Sequence, residues 1–422
     1  MKNSIKLALF CLCLLFSCSK EDTIVNPIDA EGVVVSRDFL WKKSLHEGEP
    51  SSNSYVMTSV VYGNNLLVPT TNNSVRSLSM INKETGGTLW KWDERFQPES
   101  EYIDIFHCYI NNNLLTWQNG KKSYCINLDN GTTKWKSKRD SPYNVSLFGQ
   151  NNEYYTFGES VSKYPEYSES VGFKGDLQTG NLTEIIMPNF TLAHINGGRI
   201  GDVTCAMPCV VNGTPYLAVI WQELAYDNLW DFQSFLGLYN EATKTWLYEK
   251  QILNQPNVNG VLLTDPIIFD NKIYANIGKE IVCHDLATGN QVWKKDFEQD
   301  FMFSGFLIVD NKLIGNCEDT KIYCLNAKTG GFLWKIEGAG TSSAMSYLNG
   351  VVYFVGGSTG KLHAIDIATG KTIWKIKASN LGEPENSNFK TNAVYVFPTE
   401  NGIPAKVIAL TYLNAYCFEA AK

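Results

Sequence analysis

DIATGKTIW, residues 366–374, is one copy of a nine-residue phrase that recurs along the chain. Further copies are DLATGNQVW (285–293), NAKTGGFLW (326–334), NKETGGTLW (82–90) and NLDNGTTKW (127–135). Two weaker copies lie between these. DLQTGNLTE (176–184) puts Glu184 in the Trp slot, and NEATKTW (240–246) is two residues short and lacks the Gly. Self-similarity with a period of roughly 40–50 residues signals a solenoid, a propeller or an array.

Each copy predicts a strand, a tight turn and a second strand. The opening Asp or Asn can bond backbone N–H groups two residues on. The Gly accepts a left-handed backbone at no Cβ cost, as in a hairpin loop closing on a bulge. The second strand ends in Trp, a large and mostly apolar side chain with one N–H to satisfy. A Trp in the same place in each repeat suits a wedge between neighbouring sheets, so Trp90, Trp135, Trp246, Trp293, Trp334 and Trp374 are expected to be structural.

The chain ends extend the pattern. Trp41, in FLWK 49 residues before Trp90, looks like the last strand of a repeat without its turn. YCFE (416–419) looks like the strand before a turn, without the Trp strand after it. If the N-terminal strand completes the C-terminal sheet, the ring closes non-covalently in eight sheets, and closure protects sheet edges. Hairpins such as IIFDNKIY (267–274), LIVDNKLI (307–314) and YLNGVVY (347–353) supply the other two strands of each repeat. The expected fold is all-β: an eight-bladed β-propeller of four-stranded antiparallel blades over residues 37–422.

Residues 1–17 resemble a lipoprotein signal peptide, with Lys2 and Lys6 ahead of an apolar run from Leu7 to Phe16. The run ends LFSC, similar to the lipobox of bacterial lipoproteins, which implies cleavage before Cys18 and its lipidation. Residues 18–36 then read as a tether, opening on Ser19-Lys20-Glu21-Asp22. Such a Lys-acid-acid cluster is similar to a signal for export to the outer face of the outer membrane, or is a solvated charge cluster. Lipidation would anchor the chain to a membrane without spanning it.

Without the signal, 34 basic residues face 43 acidic ones. That balance disfavours nucleic acid as a partner. Cys125, Cys283 and Cys324 each lie ten residues before a repeat Trp, and Cys417 lies in the related final strand. Ala364 fills that slot in the clearest repeat, so these Cys are expected to pack. Cys205 and Cys209, in CAMPC, are close enough in sequence for a possible disulfide in an oxidising compartment.

The strand–DxxTGxxxW–strand pattern resembles the quinoprotein-like, or PQQ-like, β-propeller repeat over about residues 37–420. That family holds dehydrogenases that bind pyrroloquinoline quinone and Ca²⁺. It also holds non-enzymatic lipoproteins, among them the propeller subunit of the outer-membrane β-barrel assembly machinery. The dehydrogenases of this blade number commonly carry an adjacent Cys pair beside the cofactor and long inserted loops. This sequence has neither. The resemblance therefore implies no catalytic residues, no cofactor and no metal. It implies an outer-membrane lipoprotein, surface-exposed or on the periplasmic face, that scaffolds envelope proteins in assembly or transport. The alternatives are a surface glycan-binding accessory lipoprotein and a PQQ-dependent dehydrogenase. No HExxH, GxSxG or P-loop pattern occurs, and the five His are not closely spaced.

The repeat decays between Glu184 and Trp246, and that is where a binding surface is expected. Trp221, Tyr226, Trp230 and Phe232 lie there among acids and amides, and Tyr164 and Tyr167 lie just before. Exposed aromatics of this kind anchor protein interfaces and stack on sugars. The reading of Trp221 and Trp230 as members of ordinary strands flanking a long hairpin is slightly favoured over their exposure.

Overall fold

The computed structural model describes the chain from Val33 to Ala421, apart from residues 34, 47, 51–53, 74, 93–102, 120–121, 138–146, 160–169, 187, 189–200, 225–231, 255–261, 263, 300 and 337–343. Eight antiparallel sheets follow one another. Blades 1 to 7 run from Tyr55–Val56 to Thr88–Trp92, Cys108–Asn111 to Thr133–Lys136, Phe148–Gln150 to Leu182–Ile186, Gly201–Val211 to Thr245–Ile252, Ile267–Phe269 to Gln291–Asp296, Phe301–Val309 to Phe332–Ile336, and Met345–Leu348 to Thr372–Ile376. Blade 8 takes Phe389–Phe397, Lys406–Thr411 and Asn414–Glu419 from the C-terminal end and Trp41–Ser44 from the N-terminal end. Trp41 pairs with Cys417 and Ser44 with Asn414, so the ring closes as the two half-repeats predict. First strands of neighbouring blades contact one another and line the axis, while fourth strands form the rim.

This topology gives the disc two unlike faces. Turns between first and second strands, and between third and fourth strands, share one face, here the turn face. Turns between second and third strands, and the links between blades, share the other, the connection face.

The repeated phrase builds the turn face atom by atom. In 366–374 the Asp366 carboxylate accepts from the N–H of Ala368 (3.1 Å) and of Thr369 (3.0 Å) and from the Thr369 hydroxyl (2.9 Å). The same Asx turn recurs at Asn82, Asp176, Asp285 and Asn326. Thr369 Oγ1 accepts in turn from Lys371 N–H, a role that explains Thr beside Gly. Register shifts follow in the next strand, as between Ala364 and Ile365 opposite Trp374 and Thr372. The extra residue of each bulge points outward, which is why Leu89, Val292 and Leu333 are exposed.

The Trp at the end of the phrase reaches the next blade. Trp90 lies on the turn of blade 2, where its indole N–H donates to Leu128 O (3.1 Å). A Cβ built on Gly131 would sit 2.4 Å from the Trp90 ring. Trp41 with Lys83 O and Gly86, Trp135 with Leu177 O and Gly180, Trp293 with Ala327 O and Gly330, and Trp334 with Ile367 O and Gly370 repeat this contact. The Gly therefore answers two demands, a positive φ and the absence of a Cβ under a neighbour's ring.

Trp246 does not belong to this series. It packs inside its own blade, 5.0 Å from the Tyr239 ring and 6.0 Å from Trp221. Tyr248, the ninth residue counted from Asn240, takes the wedge and donates to Leu286 O (3.1 Å) beside Gly289. Identity of the aromatic misaligned this copy; position in the turn aligns it. Trp374 is buried but meets the chain terminus where the next turn would be. Its indole nitrogen has no hydrogen-bond partner among the described residues, and the Arg37 guanidinium lies 5.3 Å from its ring.

Cys125, Cys283, Cys324 and Cys417 are fully buried, as packing residues should be. Burial pushes their thiols up, to about 12, 11, 12 and 12. Lys42, Lys91, Lys136, Lys294, Lys335 and Lys375 follow the Trp on the rim strands. Charges there discourage edge-to-edge pairing of open strands.

Candidate functional site

The turn face is repetitive, and its polar atoms are largely spent on Asx turns. Departures from the repeat gather at blades 3 and 4. Glu184 stands in the Trp slot of blade 3 and is exposed. Opposite it, the Gly slot of blade 4 is Lys244, which keeps the left-handed conformation (φ 57°). With no ring to receive, the seam tolerates a Cβ there. The next slot position, apolar in Leu128, Leu177, Leu286, Ala327 and Ile367, is Glu241. Its carboxylate accepts from the Tyr155 hydroxyl (3.2 Å) and pairs with Lys174. Burial, then Glu241, raises the Tyr155 phenol above its ordinary range. A polar clasp thus replaces the indole wedge at this seam.

Blade 4 is also long. Its second strand, Thr214–Leu224, has 11 residues against 6 in Lys272–Ile277 of blade 5. At about 3.3 Å per residue, the extra length carries its outer end roughly 16 Å further. The extension is on the connection-face side, because the opposite end closes at Val211 and Thr214. Its root is stiff. Trp221 is fully buried, stacked on Phe235 at 5.7 Å, and donates to Glu223 Oε1 (3.0 Å). Glu223 is itself fully buried and takes Lys250 Nζ at 2.8 and 3.2 Å. Lys250 lies in a bulge (φ 65°) that turns it inward, 4.6 Å from the Phe235 ring. Sequence reasoning missed Glu223 and Lys250, since their pairing crosses two strands.

Trp221 is therefore core, not an exposed anchor: its ring has neighbours on both sides and its N–H a buried carboxylate. Phe232 is half-buried and pairs with Leu224 at the last rung before the hairpin connection. Tyr226, Trp230, Tyr164 and Tyr167 lie outside the described residues, as does Cys18. The strands leading into residues 160–169 and 225–231 are the second and third strands of neighbouring blades, and both pairs open on the connection face. Cys205 and Cys209 are free thiols on one strand. Four residues of extended chain separate them by about 13 Å, beyond the reach of a disulfide. The proximity in sequence misled because the segment is a strand and not a turn.

Near the axis, His107 Nδ1 and Asp265 Oδ2 approach to 3.9 Å between the links entering blades 2 and 5. Burial holds the imidazole below its ordinary value although Asp265 and Asp104 pull it up. His284 and His363 are buried in third strands; His284 Nδ1 meets Gly289 O (2.8 Å) and His363 stacks on Phe354. Among the described residues, no three His, Cys, Asp or Glu side chains converge as a metal site. The described residues thus assemble no carboxylate shell of the kind a quinone–Ca²⁺ centre needs.

A family model described as outer membrane protein assembly factor BamB matches residues 255–395. The outer membrane protein assembly factor BamB of Shewanella oneidensis is 29% identical over 124 residues, which are 26% of this chain. The chain spans 31% of the length of that curated relative. The crystal structure of BamB from Moraxella catarrhalis superposes with a TM-score of 0.53 at 10% identity, over 90% of this chain and 99% of that one. A europium-containing methanol dehydrogenase superposes with a TM-score of 0.57 at 11% identity, over 88% of this chain and 84% of that one. At such identities the structural likeness establishes the fold alone. The chain is an eight-bladed propeller, and over residues 255–395 it is similar to the BamB family. The family match falls on blades 5 to 7 and the start of blade 8, where the phrase is regular; the irregular blades 3 and 4 lie outside it.

Proposed function

We propose that the protein is a non-enzymatic outer-membrane lipoprotein, anchored through Cys18, that scaffolds envelope proteins during assembly or transport. The family match over residues 255–395 carries this reading. Fold-level likeness is shared with a dehydrogenase, so the fold by itself does not choose between the two. The site supports binding rather than chemistry. A rigid ring presents one repetitive face and one face broken by a long, stiff-rooted ribbon at blade 4. No helix among the described residues is long and apolar enough to cross a membrane, and anchoring is assigned to the lipid.

The binding surface is assigned to blades 3 and 4, where Phe232 stands at the end of the long hairpin, and Tyr164, Tyr167, Tyr226 and Trp230 are assigned to it from the sequence. The test is affinity isolation from outer membranes after mild crosslinking. The reading expects β-barrel or envelope assembly proteins to be enriched, and the enrichment to be lost when residues 225–231 are replaced by a short Asn-Gly turn. No enrichment over an unrelated lipoprotein would overturn it. Glycan binding abolished by Trp230→Ala would move the assignment to a glycan accessory protein. Dye-linked turnover after addition of pyrroloquinoline quinone and Ca²⁺ would move it to an enzyme.

A further inference from the structure

The N-terminal lead does not leave the propeller where the closing strand begins. Trp41–Ser44 runs from the turn face to the connection face, antiparallel to Asn414–Glu419. A chain departing directly from Leu40 would therefore emerge on the turn face. Instead, residues 35–40 double back along the outer seam of blades 7 and 8. Leu40 N–H donates to Cys417 O (2.7 Å), and the Phe39 ring meets the Tyr416 ring at 5.5 Å. Arg37 covers Trp374 and donates to Glu419 O (3.2 Å). Val35 O then accepts from the Asn380 side chain (2.7 Å). Asn380 belongs to the short 3-10 turn Ala378–Leu381, in the link from blade 7 to blade 8, on the connection face.

The contacts are specific to this edge. Arg37 fills the place that a phrase turn occupies at the regular seams. The strap thus redirects the chain by the thickness of the disc. Its exit lies at the seam of blades 7 and 8, half a turn of an eight-bladed ring from the seam of blades 3 and 4.

We infer that the strap sets the orientation of the disc, so that the connection face is turned to the membrane and the turn face away from it. This rests on the anchoring at Cys18 proposed above. Cys18 is 15 residues before Val33, a span of at most about 50 Å. The irregular blades then hang at the far rim, on the membrane side.

The test uses an artificial anchor, so it does not depend on whether cells lipidate Cys18. The chain from residue 19 onward, with an N-terminal polyhistidine tag, is bound to vesicles containing nickel-chelating lipid and a lipid acceptor dye. A donor is placed through a non-natural amino acid at Lys279 or at Asn290, exposed residues at the connection and turn ends of blade 5. Energy transfer to the bilayer should be greater from 279 than from 290. In the strap variant Arg37→Ala/Asn380→Ala the difference should shrink, with the far-ultraviolet spectrum and unfolding midpoint close to those of the parent. Equal or reversed transfer in the parent, or an unchanged difference in a folded strap variant, would overturn the inference. A metabolic lipid label lost in Cys18→Ser tests the anchor separately; its failure would sink the anchoring and leave the geometric result standing.

Discussion

The contact between Trp90 and Gly131 can be measured by restoring one carbon atom. Gly131 has φ +73°, and its Cβ would sit 2.4 Å from Trp90 Cε3 and 2.8 Å from Cδ2. Gly350 has φ +80° with nothing within 4 Å of a built Cβ. Gly350→Ala therefore carries the left-handed cost alone, about 1–2 kcal/mol. Gly131→Ala adds overpacking against a ring held by its own hydrogen bond, about 1–3 kcal/mol more. The two substitutions should differ by the second amount, read as the shift in denaturant midpoint at constant slope. A double-mutant cycle sharpens the test. In a Trp90→Leu background the clash is gone, and Gly131→Ala should cost no more than Gly350→Ala. The molecule makes the same pairwise change at one seam, where Glu184 replaces the ring and Lys244 the glycine. If Gly131→Ala costs the same as Gly350→Ala within about 0.5 kcal/mol, or the same in both Trp90 backgrounds, the interlocking account is wrong.

Three further outcomes are expected. Lys250→Met leaves the Glu223 carboxylate buried without its counter-charge, which costs about 3 kcal/mol; chemical denaturation should show most of it recovered in Lys250→Met/Glu223→Leu. Burial, with Lys361 and Lys375 adding to it, lowers His363 to about 4. The folded state thus binds fewer protons than the unfolded one, so its contribution is present above pH 6.5 and lost as pH falls to 4. That loss is on the order of 3 kcal/mol, and His363→Leu should flatten the stability profile across that window. Deleting the chain through Ser44 uncovers the last blade, and Cys417, held near 12 in the intact ring, should become readily alkylated at pH 8 while Cys324 stays protected.

The ring, its blade count and its closure were legible in the sequence because each depends on local turn chemistry repeated many times. Asp, Thr and Gly act within five residues of one another, and their spacing survives in nearly every copy. What was not legible is contact between elements distant in sequence. Glu383 takes Lys42 at 3.2 Å, Asn414 at 2.6 Å and the Tyr416 hydroxyl, binding the closing strand to the last link across more than three hundred residues. Nothing in the neighbourhood of Glu383 announces this. Trp246 misled for a related reason: residue type suggested the slot, while the turn geometry, fixed by Asn240 and Lys244, put Tyr248 there. At the candidate site, the decay of the phrase correctly marked blades 3 and 4 as irregular. The burial of Trp221 was hidden because its partners, Phe235, Trp246 and Glu223, come from three strands.

The closing strand has a mechanical consequence. Any pull on the N-terminus is delivered to the one blade whose fourth strand is not continuous with its third. The strap meets it first: Asn380 and Arg37 must let go before tension reaches Leu40 and Trp41. Beyond them, four residues of antiparallel ladder and the Glu383–Lys42 pair separate a sealed disc from an open one. Regular seams transmit stress through indoles seated on their neighbours' turns and have no free end to peel. Rupture should therefore begin at the handle and travel outward from it, so that the point of attachment is also the molecule's fuse.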